Sequence, residues 1–160
     1  MKCRLVLAAA LLLLPPVTRA AGDAALDRAT LKGLKAVGIV VDVIDPELQK
    51  LGITREVLIT RLLARLQGKQ IVIDPAAKEF VGLRITAVRG GRGPYAAALS
   101  FALYQPVIIS RDKDIRTSTQ TWEIEAVLMA DPKMLLTACG ESADDLADRF
   151  ATAYHAVNPK

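Results

Sequence analysis

The chain has 160 residues with 21 Lys or Arg, 17 Asp or Glu and one histidine, a formal net charge of +4. That surplus falls to +1 once Lys2, Arg4 and Arg19 are set aside with the first twenty residues, so no global field calls for nucleic acid or an anionic membrane. Two cysteines exclude a disulfide-stapled scaffold, and the length beyond residue 20 suits one domain with its own core.

The start of the chain reads as an address. Met1-Lys2-Cys3-Arg4 is basic, residues 5–14 are an unbroken apolar run, and Pro15-Pro16 break it. Thr18 and Ala20 are small, as a signal peptidase requires. This is the pattern of a secretory signal peptide over residues 1–20, with cleavage expected after Ala20 and export to the periplasm or the exterior. The apolar run is too short to span a bilayer. Cys3 leaves with this segment, so Cys139 stands alone and is expected to be buried and inert.

Residues 21–34 are small and polar and read as a flexible lead-in to a single domain over 35–160. Residues 35–44 alternate, with Val37, Ile39, Val41 and Val43 on one face, and predict a strand ended by Asp45-Pro46. Residues 53–68 predict an amphipathic helix. Thr54 is its N-cap, Leu58, Ile59, Leu62, Leu63 and Leu66 form its stripe, and Gly68 is the expected left-handed terminator. Arg61 and Arg65, one turn apart beside the stripe, read as a solvated flank.

Residues 71–73 are a short β-branched run stopped by Asp74-Pro75. Leu83, Ile85 and Ala87 alternate with Arg84, Thr86 and Val88 as a strand, and Arg89-Gly90-Gly91-Arg92-Gly93-Pro94 follows as a hairpin loop. Residues 95–110 are extended, with Pro106 marking a bulge or an edge. Trp122, Ile124, Ala126 and Leu128 define a last strand against Glu123 and Glu125. Two helical pieces end the chain: a short turn from Asp131-Pro132 to Leu135, and a helix capped by Ser142 with Asp144 and Asp145 in its first turn. Its apolar side is Leu146, Phe150, Ala153, Tyr154 and Val157.

Strands with one wet face and helices with one apolar stripe assemble in one way. They form an α+β two-layer sandwich, with two amphipathic helices on one face of a four- to five-stranded mixed or antiparallel sheet. Leu58, Leu62, Leu66, Phe101, Ile124, Leu146 and Phe150 should share its core. This order resembles small helix-on-sheet domains of bacterial envelope proteins, such as the N-terminal domain of the Tol-system translocation protein and the lipopolysaccharide-assembly lipoprotein. The ending Asp148-Arg149-Phe150 through Tyr154 to Val157-Asn158-Pro159 resembles that of uncharacterised exported bacterial proteins. The resemblance covers most of the chain in pattern and includes no motif, so it implies a fold and no site.

Chemistry-bearing residues are sparse. The Gly-rich loop lacks the lysine and hydroxyl residue that a phosphate loop needs. There is no Gly-x-Ser-x-Gly elbow. His155 falls on the polar side of the last helix, where it suits the helix terminus. One histidine and one cysteine make neither a zinc site nor a placed nucleophile pair. Glu123 and Glu125 share a sheet face and should pair with basic residues on a neighbouring strand. Arg84, Thr86, Ser100, Tyr104, Glu123 and Glu125 are expected to share the open face, with Tyr104 depending on the bulge, and are the candidate partner surface.

The sequence therefore reads as an exported small binding or assembly protein of the bacterial envelope, without catalysis, cofactor or metal. Its partner would be an envelope protein or component, and the free protein a monomer. The alternatives are a small hydrolase or thiol enzyme using Cys139 or the Glu123/Glu125 face, and a structural subunit of an envelope complex.

Overall fold

The computed structural model describes residues 22–159, so the expected signal peptide lies outside the described residues. The element order is α1 (Ala25–Ala29), β1 (Gly38–Val41), α2 (Pro46–Lys50), α3 (Arg55–Gly68), β2 (Phe80–Arg89), β3 (Tyr95–Ile108), β4 (Arg116–Ala130) and α4 (Leu135–Val157). The strands form one mixed sheet in the order β1-β2-β3-β4. β1 runs parallel to β2, and the other two pairings are antiparallel. The fold is the expected α+β arrangement of helices on one sheet face.

Period-two alternation decides which side chains go inward. Ile39, Val81, Leu103 and Trp122 are in register across the four strands, and so are Val41, Leu83, Phe101 and Ile124. α3 and α4 cover this face with Leu58, Leu62, Leu66, Leu146 and Phe150, all fully buried. Phe150 stands edge-on to Phe101 at 5.9 Å and to Trp122 at 5.3 Å between ring centres. Burying each such side chain contributes about 1.5–3 kcal/mol. All seven expected core residues are in this cluster.

Several local expectations need correction. The stretch read as a lead-in carries α1 and buries Leu31 and Leu34. Asp23 holds it down: its carboxylate accepts from the Trp122 indole at 2.9 Å and from the Arg28 fork at 2.7 and 2.6 Å. Asp45-Pro46 does not merely end a strand. Asp45 caps α2 through the Glu47 amide, and proline sits at its first position. Val43 is 84% exposed because the strand has already ended at Val41. Residues 71–73 make only a single bridge, Val37 to Ile73.

α3 is capped by Thr54 as expected, but Gly68 belongs to the helix and Gln70 is the left-handed residue. The largest revision concerns the last helix. α4 is one continuous helix, and Ser142 lies inside it rather than at its start. A Cβ at Gly140 would sit 2.9 Å from the Arg61 guanidinium, so glycine serves close approach to α3. Arg61 and Arg65 are accordingly not a free flank. They form fork pairs with Asp144 (2.8 and 2.8 Å) and Asp148 (2.7 and 2.6 Å), and Lys69 joins Asp148 at 3.3 Å. Asn158 closes the far end by accepting from the Gly33 amide and donating to the Leu31 carbonyl.

Candidate functional site

The sheet face away from the helices is open, and its register brings side chains together row by row. Arg84, Ser100 and Glu125 lie in one row, joined by Asp42 of the β1 segment through the Arg84 ion pair at 2.7 Å. Gly82, Ala102 and Glu123 form the next row, and Phe80 and Tyr104 the one beyond. Tyr104 reaches this face by the same alternation as Ser100 and Ala102, because β3 runs against β2 without a break and the bulge falls on β4, where Leu103 faces Trp122, Tyr104 faces Gln120 and Thr121 is the extra residue. Pro106 lies two residues past Tyr104, beyond the start of β2, where a missing amide costs no ladder bond.

The expected surface residues are thus assembled in graded fashion. Arg84, Ser100, Tyr104 and Glu123 come together, Glu125 flanks them on β4, and Thr86 sits one row further along, opposite Ala98. Asp42, Phe80 and Gln120 belong to the same group and were not foreseen. Asp42 was legible as an outward position in its strand, but nothing in the sequence reveals that β1 lies beside β2.

Glu123 was expected to find a basic cross-strand partner. Instead it accepts hydrogen bonds from the Ser100 hydroxyl and the Gln120 amide. The Arg84 guanidinium is held charged chiefly by its hydrogen bond to Asp42, whose negative charge adds to the effect. Phe80 and Tyr104 stack nearly parallel, 5.0 Å between centres. Tyr104 leans over Gly82, where a Cβ would sit 2.9 Å from its ring, so glycine makes room for the stack.

Two clefts meet at this corner. One, of about 270 Å³, is lined by Asp42, Arg84, Ser100 and Tyr104. The other, of about 420 Å³, is apolar and runs around the edge of β1 between Ile59 and Leu63 of α3 and Ile73, Pro75 and Ala77. Val40 and Phe80 line both.

The residues of the thiol alternative are kept apart. Cys139 is buried, and burial pushes its thiol up from the ordinary range, which disfavours the reactive thiolate. His155 is sixteen residues further along the same helix, about 24 Å away at 1.5 Å per residue. Its Nε2 bonds the Lys69 carbonyl at 2.8 Å, beyond the end of α3, so it ties two helices together. Both lie on the helical side of the sheet, away from Glu123 and Glu125. Among the described residues, no group of three or more His, Cys, Asp or Glu side chains is placed to hold a metal, and no helix is long and apolar enough to cross a membrane.

No family model matches the chain, and no curated protein matches it. Among solved structures it is similar to the PelC dodecamer of Paraburkholderia phytofirmans, at 12% identity and a TM-score of 0.40 over 75% of this chain and 86% of that one. It is also similar to a minor lipoprotein of Acinetobacter baumannii, at 10% identity and a TM-score of 0.32 over 76% of this chain and 94% of the other. At this level the likeness concerns fold and says nothing of activity.

Proposed function

We propose that this chain is an exported binding or assembly protein of the bacterial envelope that works through the open face of its sheet, without covalent chemistry. The observation that carries this reading is the corner where Arg84–Asp42 and Ser100–Glu123 flank the Phe80–Tyr104 stack at the meeting of two clefts. Charged and hydroxyl groups already held by one another, beside aromatic and apolar surface, suit a contact with an envelope protein or envelope component. The export-type start of the sequence supports the location. The separation of Cys139 from His155 speaks against the thiol enzyme.

The test is site-specific photo-cross-linking in the native host, with the reactive side chain at position 104 or at Thr152. Thr152 is exposed on α4, on the other side of the molecule. The protein should be recovered outside the cytoplasm without residues 1–20, and position 104 should give a discrete adduct that Thr152 does not. Retention of Met1, or equal adducts from both positions, would overturn the reading. Rapid alkylation of Cys139 in the folded protein would restore the thiol alternative.

A further inference from the structure

We propose that the cleft between α2 and the β2–β3 turn receives a small amino-carboxylate, an amino acid or short peptide with free termini, whose carboxylate is taken by Arg89 and Tyr95. The site lies at the end of the sheet opposite the Phe80–Tyr104 stack, so it does not rest on the binding reading above. It rests on a tyrosine hydroxyl without a partner, a guanidinium with one edge free, and walls of opposite charge.

Arg89 and Tyr95 face each other across the β2–β3 pair. Both continue the inward alternation of their strands, next to Ala87 and Ala97. Tyr95 is only 6% exposed. A buried tyrosine hydroxyl normally finds a partner. This one bonds no described residue, yet it is not sealed from solvent. Tyr95 lines two adjoining clefts of about 320 and 520 Å³, which share Glu47, Arg89 and Tyr95. Clefts of this size hold small ligands, and the hydroxyl is a donor offered to what enters them.

Arg89 is held in place without an acid. Its Nε donates to the Gly93 carbonyl at 2.8 Å and its Nη2 to the Arg92 carbonyl at 3.1 Å. Its guanidinium lies over the Tyr95 ring, 5.2 Å from the centre. Among the described residues no carboxylate pairs with it, whereas Arg28, Arg61, Arg65 and Arg84 each hold an aspartate. A guanidinium presents its N–H donors in a rigid planar fork. The two loop carbonyls take the Nε edge, which leaves the Nη1–Nη2 edge free. That edge matches the two oxygens of a carboxylate.

Charge decides what else the ligand carries. Lys50 lines the wider cleft with Arg89, and Asp45 and Glu47 line the narrower one. One Asp45 oxygen accepts from the Glu47 amide at 2.7 Å, and the Glu47 carboxylate bonds no described residue. A simple anion would meet Asp45 and Glu47, and a simple cation would meet Arg89 and Lys50. Like charges brought together in this way are unfavourable. A molecule with a carboxylate at one end and an ammonium at the other matches both walls. Leu48, Leu51 and Ala87 also line the clefts, so small apolar side chains are accepted.

The experiment is an NMR titration of the isotope-labelled exported protein with alanyl-alanine, its C-terminal amide, its N-acetyl form and inorganic phosphate. Alanyl-alanine should move amide signals of residues 45–51 and 89–95 to saturation. Tyr95→Phe keeps the ring and its packing, so its melting temperature should match the parent while affinity falls about tenfold or more, the worth of a hydrogen bond to a charged group. Arg89→Gln should abolish binding. The C-terminal amide should not bind. The N-acetyl form should bind more weakly than the free dipeptide, and Glu47→Gln should remove that difference. No saturating shift up to about 10 mM, where even a millimolar site would fill, overturns the proposal. So does a Tyr95→Phe protein that binds like the parent, an amide that binds like the acid, or phosphate that binds as well as alanyl-alanine.

Discussion

The two faces of one sheet are built to different rules. On the inner face, the central rows are apolar, and the helices seal them with Phe150, Leu62 and Leu146. On the open face, neighbouring strands set Asp42 against Arg84 and Ser100 against Glu123 at one end, and leave Val88, Val127 and Met129 bare at the other. A face kept only for solubility would carry scattered charge throughout. The contrast teaches that stability is concentrated under the helices, and that the open face is available for contacts whose loss the fold can survive.

The largest expected effect lies on the inner face. Phe150→Ala removes a ring packed against both Phe101 and Trp122 and should cost about 3–5 kcal/mol in urea unfolding. A loss below that range would mean the aromatic cluster is not where stability resides. Asp23→Ala comes next. It leaves the Trp122 indole N–H buried without its acceptor, which should cost about 1–3 kcal/mol. Thermal melting of the variant measures it, and an unchanged melt would show that the N-terminal segment contributes nothing.

The same clamp gives a pH dependence with a definite sign. The Arg28 hydrogen bond, helped by the Trp122 N–H and opposed by burial, holds the Asp23 carboxyl below its ordinary range. Arg65 and then Lys69 do the same for Asp148. A carboxyl depressed in the folded state adds stability above its unfolded value, and that stability is lost as pH falls through the folded one. Melting temperature should therefore drop on acidification below about pH 4, the ordinary aspartate range. Asp23→Asn should flatten part of that slope, and a parallel curve would remove Asp23 from the explanation.

The inner face was largely legible in the sequence. Leucine spacing in α3, alternation in β2 and β4, and the aromatic face of α4 name the core residues directly. The misreadings share one physical origin: tertiary contact overriding local signals. Ser142 reads as a helix cap until residues 135–157 are seen as one helix packed on α3, with Arg61 over Gly140. The polar residues 21–34 read as loose until Asp23 meets Trp122, ninety-nine positions away. Asp42 joined the open-face group through the parallel β1–β2 pairing, which leaves no trace in either segment, and Phe80 through its β2–β3 pairing with Tyr104. The bulge that Pro106 hinted at falls on the neighbouring strand β4, so Tyr104 keeps the alternation of its own strand.

The division of labour between the faces is tested most directly by emptying one row of the open face. The triple variant Arg84→Gln, Ser100→Ala, Glu125→Gln removes the charges and the hydroxyl of a single cross-strand row. Its free energy of unfolding in urea should lie within about 1 kcal/mol of the parent, as exposed pairs and surface positions usually contribute little. A loss of about 3 kcal/mol or more, on the scale of a core truncation, would contradict the account and make the open face a structural element of the fold.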